Sequence, residues 1–102
     1  MILIYITCKD NAEAKKISKH LLDEKLIACV NIHPIESMYR WKGKIFEEQP
    51  ESLMLIKTKK GKEEKIVGEI KKMHSHSVPC IEFIEVKKAN KEYDEWVKSE
   101  TK

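Results

Sequence analysis

The sequence predicts an α+β protein with strands and helices in the order β-α-β-β-α-β, followed by a last helix. Three observations indicate this order: short apolar strand patterns, two stretches with helical periodicity, and a long hairpin signal between them. A weak internal repeat agrees, because residues 4–7 before the first helical stretch resemble residues 55–58 before the second. Two such units with right-handed crossovers form a four-stranded antiparallel sheet with helices on one face. We therefore expect one ferredoxin-like domain over residues 1–102.

The first strand and helix are marked by a change of periodicity. Residues 2–7 are apolar on both faces, which is typical of a central, doubly buried strand. Asp10 lies three residues before Glu13, a variant of the capping box that begins a helix. The helix is predicted over residues 11–25, with one apolar stripe made of Ala14, Ile17 and Leu21.

The second half of the chain repeats this pattern. A helix is predicted over residues 60–73 and a strand over residues 80–86, with the polar segment His74-Ser75-His76-Ser77 as the loop between them. Asn90 is a good residue to cap a short last helix. Its core-facing stripe is expected to contain Tyr93, Trp96 and Val97.

The hairpin over residues 27–58 is the feature that sets the rest of the chain in place. Its turn is predicted at Lys42-Gly43, because glycine readily takes the positive φ that a two-residue turn needs. An arm of about fourteen residues would extend about 45 Å. A domain of this length is only about 26 Å across. Part of the hairpin must therefore bend or leave its own domain, with a bulge or bend expected at Pro34.

A projecting hairpin has unpaired edges that recruit other chains. With the turn at Lys42-Gly43, Tyr39 pairs with Phe46 and Trp41 with Lys44, and these four side chains share one face. The sheet face without helices is a second apolar surface. We expect an oligomer whose interface includes Tyr39, Trp41, Phe46 and Ile45.

Composition excludes several classes of protein. The net charge is only +3, and the lysines are interleaved with acidic residues, so a nucleic-acid partner is not expected. No apolar run is long enough to cross a membrane. Three cysteines without a CxxC pair favour reduced thiols and a cytoplasmic location over a disulfide framework.

No catalytic motif is found, since the three glycines stand alone and no nucleophile or zinc-protease pattern occurs. We therefore expect no enzyme activity and no organic cofactor. The best metal candidate is His74-x-His76-x-x-x-Cys80, because imidazole and thiolate suit copper and zinc. The alternative is a polar loop with two exposed histidines and a buried cysteine. Cys29, with Asn31 and His33 on one strand face, is a second candidate or simply a packing residue.

The aromatic and basic residues near the turn also allow two interpretations. They could stack bases and neutralise phosphates, or they could form a packed seam between subunits. The length of the hairpin favours the seam. The set consists of Tyr39, Arg40, Trp41, Lys44 and Phe46.

One set of hairpin residues forms a specific motif: Ala28-Cys29-Val30-Asn31, Pro34-Ile35, Ser37, Tyr39, Trp41 and Gly43-Lys44, with Leu22 before them. Further motif residues lie at 55–58, in the loop from His74 to Pro79, and in Tyr93-x-x-Trp96. In this order and over nearly the whole chain, they resemble the divalent-cation-tolerance family, CutA.

The resemblance implies a ferredoxin-like homotrimer whose hairpins pair across subunits, and a protein that binds a divalent cation such as Cu²⁺. Cys29 matches a proposed copper ligand of the family. In the loop, His74 matches, but Ser75, His76 and Cys80 replace the usual proline, tyrosine and glutamate. These replacements offer softer ligands, so the candidate metal ligands are His74, His76, Cys80 and Cys29.

A trimer with PII-like architecture is the alternative that the resemblance implies. Such a sensor or scaffold would bind a small anionic ligand or a partner protein at clefts between subunits. Lys57, Tyr39 and Trp41 match positions expected to line these clefts, and Arg40 would assist them.

Overall fold

The computed structural model describes residues 1–47 and 50–102 in full. The elements follow the predicted order. They are β1 (Ile2–Cys8), α1 (Asn11–Asp23), β2 (Cys29–Trp41), β3 (Lys44–Thr58), α2 (Glu63–Met73), β4 (Ile81–Glu85) and α3 (Lys91–Glu100).

The strands form an antiparallel sheet in the order β2-β3-β1-β4. This is the ferredoxin-like topology, as predicted. The central strand β1 places Ile4 and Ile6 against the helices, where both are fully buried. Leu3 and Tyr5 point to the other face and are half-buried, so β1 is central but not buried equally on its two faces.

The core lies between the sheet and the helices α1 and α2. In α1, the predicted stripe Ala14, Ile17 and Leu21 is fully buried. The Asp10 side chain caps this helix by accepting a hydrogen bond of 2.8 Å from the Glu13 backbone N–H. The remaining large, fully buried core side chains are supplied by the other elements and by the α1–β2 connection: Leu26, Ile27, Met54, Ile56, Ile66 and Ile70.

The hairpin of β2 and β3 leaves the domain, as its length predicted. Lys42 and Gly43 form the two-residue turn with φ of 49° and 78°, and Trp41 pairs with Lys44 across it. The register shifts between Ile35 and Ser37, one to two residues beyond the bend expected at Pro34. The molecule measures 45 × 26 × 21 Å, so the hairpin adds about 20 Å to one axis of an otherwise compact body.

Several boundaries differ from the predictions for local reasons. The helix α2 begins at Glu63, after Gly61 at a φ of +104°, instead of at Lys60.

The last helix, α3, differs from its prediction in two contacts. Asn90 occupies the N-cap position of α3, but its side chain makes no capping hydrogen bond. The prediction that Trp96 faces the core is wrong, since Trp96 is 42% exposed and Val97 supplies the buried contact of that helix.

No helix in the described part of the chain is long and apolar enough to cross a membrane.

Candidate functional site

A cavity of about 480 Å³ lies where the hairpin departs from the sheet. Its wall combines a sheet residue, the distal part of β2, the re-entry of β3 and the loop that follows α2. The lining residues are Thr7, Ser37, Met38, Tyr39, Trp41, Glu51, Ser75, His76, Ser77, Val78 and Cys80. The loop predicted as a metal site and the aromatic residues predicted as a cleft therefore meet at one place.

His74 connects the loop after α2 to strand β1 and does not line the cavity. Its side chain is fully buried. Its Nδ1 accepts a hydrogen bond of 3.0 Å from the His76 backbone N–H, and its Nε2 lies 2.7 Å from the Thr7 carbonyl oxygen. Because Nδ1 is an acceptor, the proton must be on Nε2, which donates to Thr7. Both ring nitrogens are thus engaged, so His74 can bind a metal only if one of these bonds is released.

Glu13 fastens the same loop from the first turn of α1. Its carboxylate accepts hydrogen bonds from the Ser75 backbone N–H at 2.9 Å, the Ser75 hydroxyl at 3.1 Å and the Lys9 backbone N–H at 3.0 Å. Burial acts to raise the pKa of Glu13, but the bonds from Lys9 and Ser75 and the nearby His74 outweigh it and lower the pKa. Glu13 is therefore an ionised, nearly buried anchor at neutral pH. Sequence reasoning gave Glu13 a capping role only, because its contact with Ser75 spans 62 positions.

His76 and Cys80 are the two predicted metal ligands that line the cavity. The rings of His74 and His76 are inclined at 57° with centroids 5.1 Å apart. The Cys80 thiol lies 3.4 Å from a Glu82 carboxylate oxygen. Burial first, and then the Glu82 carboxylate, raises the pKa of Cys80, although Thr7 opposes the shift. The cavity thus presents one imidazole and one protonated thiol.

Two other groups of three possible ligands are more compact than the predicted set. Among the residues that the structure describes, ligand atoms lie within 4.8 Å of one another in Cys8/Glu13/His74 and in His20/Glu24/Glu69. Neither group contains His76 or Cys80. The first group has a structural explanation, because burial above all, and then Glu13, raises the pKa of Cys8 to about 12 and its thiol donates to the Met54 sulfur at 3.4 Å.

Cys29 lies at the opposite end of the sheet from the loop. It pairs with Lys57, which pairs in turn with Leu3, whereas the cavity adjoins Thr7. Four residues along a strand correspond to roughly 13 Å, so Cys29 is not brought together with His76 and Cys80 in one subunit. Its neighbour is Tyr93, whose pKa is raised by burial and by its hydrogen bond with Cys29.

The predicted cleft residues divide into two groups. Tyr39 and Trp41 line the cavity, and Tyr39 stacks on Phe46 with ring centroids 5.8 Å apart. Lys57 instead donates a hydrogen bond to the Asn31 side chain. Arg40 pairs with Ile45 on the other face of the hairpin, away from the four aromatic-face residues. The described cavity therefore includes neither cation, and its wall mixes aromatic, aliphatic and polar side chains.

Fold and site together define a ferredoxin-like domain with a projecting hairpin and a cavity at the base of that hairpin. The model of the CutA1 divalent ion tolerance protein family matches residues 2–100. The chain therefore belongs to the CutA1 divalent ion tolerance protein family.

Individual relatives agree with this assignment. The divalent-cation tolerance protein CutA of Archaeoglobus fulgidus is 45% identical over 92% of this chain and 91% of its own length. A solved structure from that organism, named a periplasmic divalent cation tolerance protein, has a TM-score of 0.94 at 42% identity, covering 98% of each chain. The PII-like protein CutA of Nostoc sp. PCC 7120, solved in its apo form, has a TM-score of 0.92 at 28% identity. That match covers 100% of this chain and 98% of the other.

Proposed function

We propose that the protein is a cytosolic homotrimer that binds a divalent cation, preferably copper, without catalysing a reaction. The observation that carries this proposal is the cavity that His76 and Cys80 line together at the base of the hairpin. Membership in a family named for divalent ion tolerance supports a role with such cations.

Assembly is supported by the apolar surface that the hairpin presents. Met38 is 69% exposed and Ile45 63% on one face of the hairpin, and the aromatic residues Tyr39, Trp41 and Phe46 are exposed on the other face. A hairpin that extends beyond its own core gains stability only if another surface covers these side chains. Pairing with the hairpins of two further subunits would cover them and close the open side of the cavity.

Copper is favoured by the ligands that this chain places at the cavity. Thiolate and imidazole are the ligands that copper and zinc prefer over magnesium or calcium. His76 and Cys80 would hold the cation, while His74 and Glu13 keep the loop in position. His74 would join the ligands only after releasing its bond with Thr7 or His76.

The test combines equilibrium dialysis against Cu²⁺ with light scattering. We expect a particle of about 36 kDa, three times 12.0 kDa, with or without metal, and bound copper that falls by about one ion per chain in His76→Ala/Cys80→Ser. Glu64→Ala/Ser99→Ala is the control double variant, because both residues are exposed and lie outside the cavity. Equal copper binding by wild type and His76→Ala/Cys80→Ser would refute the ligand assignment. A particle of 12.0 kDa would refute the assembly.

A PII-like sensor or scaffold is the second candidate function. It is favoured by Tyr39 and Trp41 in the cavity wall and by the fold match with a PII-like CutA protein. In this case a small anionic ligand or a partner protein would occupy the cleft, and Lys57 or Arg40 would have to come from a neighbouring subunit. A rise in melting temperature with saturating carboxylates or nucleotides, lost in Trp41→Ala, would support it. Unchanged melting across that panel would count against it.

The cytosolic location is supported by the three free cysteines, which suit a reducing compartment. The Archaeoglobus relative bears a periplasmic name, so the location needs a direct measurement. Fractionation of cells expressing the tagged chain would show the protein in the cytosolic fraction, and recovery in another compartment would overturn this part of the proposal.

A further inference from the structure

A cluster of three metal-ligating side chains lies on the helix pair, apart from the cavity. His20 belongs to the last turn of α1, Glu24 is the C-cap of that helix, and Glu69 belongs to α2. Their ligand atoms all lie within 4.8 Å of one another. None of the three lines the cavity at the hairpin.

We propose that His20, Glu24 and Glu69 form a second, independent divalent-cation site that takes Zn²⁺. One imidazole and two carboxylates are zinc ligands, and three protein ligands leave a position for water. The site does not depend on the function proposed for the cavity, since the two share no residue.

The backbone already supplies the spacing that such a site needs. Residues four apart on a helix lie on one face, which places His20 and Glu24 side by side. The third ligand is held close by a contact between the helices, with His20 Nε2 only 2.9 Å from Glu69 Oε1. Zinc ligands at 2.0–2.1 Å from the metal are roughly 3.3 Å apart in a tetrahedron. Small rotations of three side chains would therefore admit the ion.

The electrostatic environment favours a cation. The Glu69 side chain is only 9% exposed, and its two carboxylate oxygens accept from Lys72 Nζ at 2.8 Å and from His20 Nε2 at 2.9 Å. The carbonyl groups that end α1 add the negative end of the helix dipole next to Glu24. Since His20 and Glu24 are partly or fully accessible, a hydrated ion can reach them without opening the core.

A bound ion would have to displace Lys72 from Glu69, and also the proton with which His20 Nε2 donates to Glu69, which would leave to solvent. Lys72 Nζ lies 2.8 Å from Glu69 Oε2, and the Lys72 side chain is 73% exposed, so it can swing into solvent. This contact separates the metal site from the simpler interpretation of a surface ion-pair cluster. If the cluster is a metal site, Lys72 competes with the ion, so removing the Lys72 ammonium raises the metal affinity. If the cluster is only a set of ion pairs, removing the Lys72 ammonium leaves metal binding unchanged.

The experiment is a Zn²⁺ titration by calorimetry on the full chain, in a His76→Ala/Cys80→Ser background that lacks the cavity ligands. We expect one zinc ion per subunit in this background. The further change His20→Gln/Glu24→Gln should weaken binding at least tenfold, and Lys72→Gln should tighten it several-fold. Glu64→Gln/Glu95→Gln is the control double variant, because both residues are exposed and lie outside the cluster. It should leave zinc binding unchanged.

A second readout locates the ion. Co²⁺ added to ¹⁵N-labelled protein of the same background should broaden the amide signals of His20, Glu24 and Glu69 before those of the cavity loop. The proposal is overturned if the background protein binds no zinc, if His20→Gln/Glu24→Gln binds as well as its parent, or if Lys72→Gln leaves affinity unchanged. If this background protein binds no zinc, the copper assignment to His76 and Cys80 is unaffected, because it rests on a different experiment. The two proposals can therefore be refuted independently.

Discussion

The anchor between Glu13 and the loop after α2 gives the sharpest prediction for stability. The Glu13 carboxylate accepts hydrogen bonds from the Ser75 backbone N–H, the Ser75 hydroxyl and the Lys9 backbone N–H at 2.9–3.1 Å, and its side chain is only 7% exposed. In Glu13→Gln an amide NH₂ replaces one oxygen and faces a donor. The variant loses one charge-assisted hydrogen bond, about 1.5–3 kcal/mol, and leaves a nearly buried donor without its acceptor. We expect a loss of about 2–4 kcal/mol in the free energy of unfolding.

The assay is guanidinium denaturation of both proteins at one protein concentration, because the proposed assembly would make the measured stability depend on concentration. Glu64→Gln is the matched control: Glu64 is also in the first turn of a helix, but it is exposed and should change stability by less than about 0.5 kcal/mol. If Glu13→Gln unfolds at the same denaturant concentration as Glu64→Gln, the carboxylate does not anchor the loop.

The effect should also depend on pH with a defined sign. The folded pKa of Glu13 is lowered below its ordinary value of 4.5, so its contribution is present above pH 4.5 and is lost as the pH falls through the folded value. The stability difference between wild type and Glu13→Gln should therefore narrow in acid. A difference that grows as the pH falls from 5 to 3 would contradict the assignment of an ionised Glu13.

Three further predictions concern the hairpin, a core thiol and two glycines. Ile45→Glu places a charge on a side chain that is 63% exposed. The variant should keep its circular dichroism spectrum but show a lower mass by light scattering. An unchanged mass would place Ile45 outside the interface. Burial, and then Glu13, raises the pKa of Cys8 to about 12, so iodoacetamide at pH 8 should modify Cys8 only after unfolding, and rapid labelling of the native protein in peptide mass spectrometry would contradict this. Gly43→Ala should lower the free energy of unfolding by about 1 kcal/mol, because Gly43 has a φ of +78°. Gly68→Ala should raise the free energy of unfolding by about 0.5–1 kcal/mol, because Gly68 lies in a helix with open space around the new methyl group. Effects of the same sign would refute the reasoning.

The loop after α2 contains residues with two different roles, which the sequence alone treated as one candidate metal site. His74 is buried and holds the backbone, while His76 and Cys80 face the cavity. Of the three loop residues that depart from the resemblance, His76 and Cys80 face the cavity, whereas Ser75 also supplies the backbone N–H and the hydroxyl that donate to Glu13. The departures therefore concern both the candidate ligands and the anchor of the loop.

Local patterns were sufficient wherever a feature depends on neighbours in sequence. The turn at Lys42-Gly43 and the cap at Asp10 follow from the backbone freedom of glycine and the short reach of an aspartate side chain. Strand order follows from handedness and connection length. That the hairpin must bend or project follows from length alone, because about fourteen extended residues exceed the width of a domain of this size.

The sites depend on contacts that no local pattern contains. Glu13 meets Ser75 across 62 positions, and His20 meets Glu69 across 49, because the sheet brings the two helices together. Trp96 lies in the predicted helix α3 but is not buried as predicted, because Val97 is the residue of that helix that packs into the core. The sequence by itself determined the elements, their order and the long hairpin, through periodicity and turn chemistry. Only the tertiary structure decided which titratable groups are buried, paired or open to a ligand, because those properties depend on packing between distant segments.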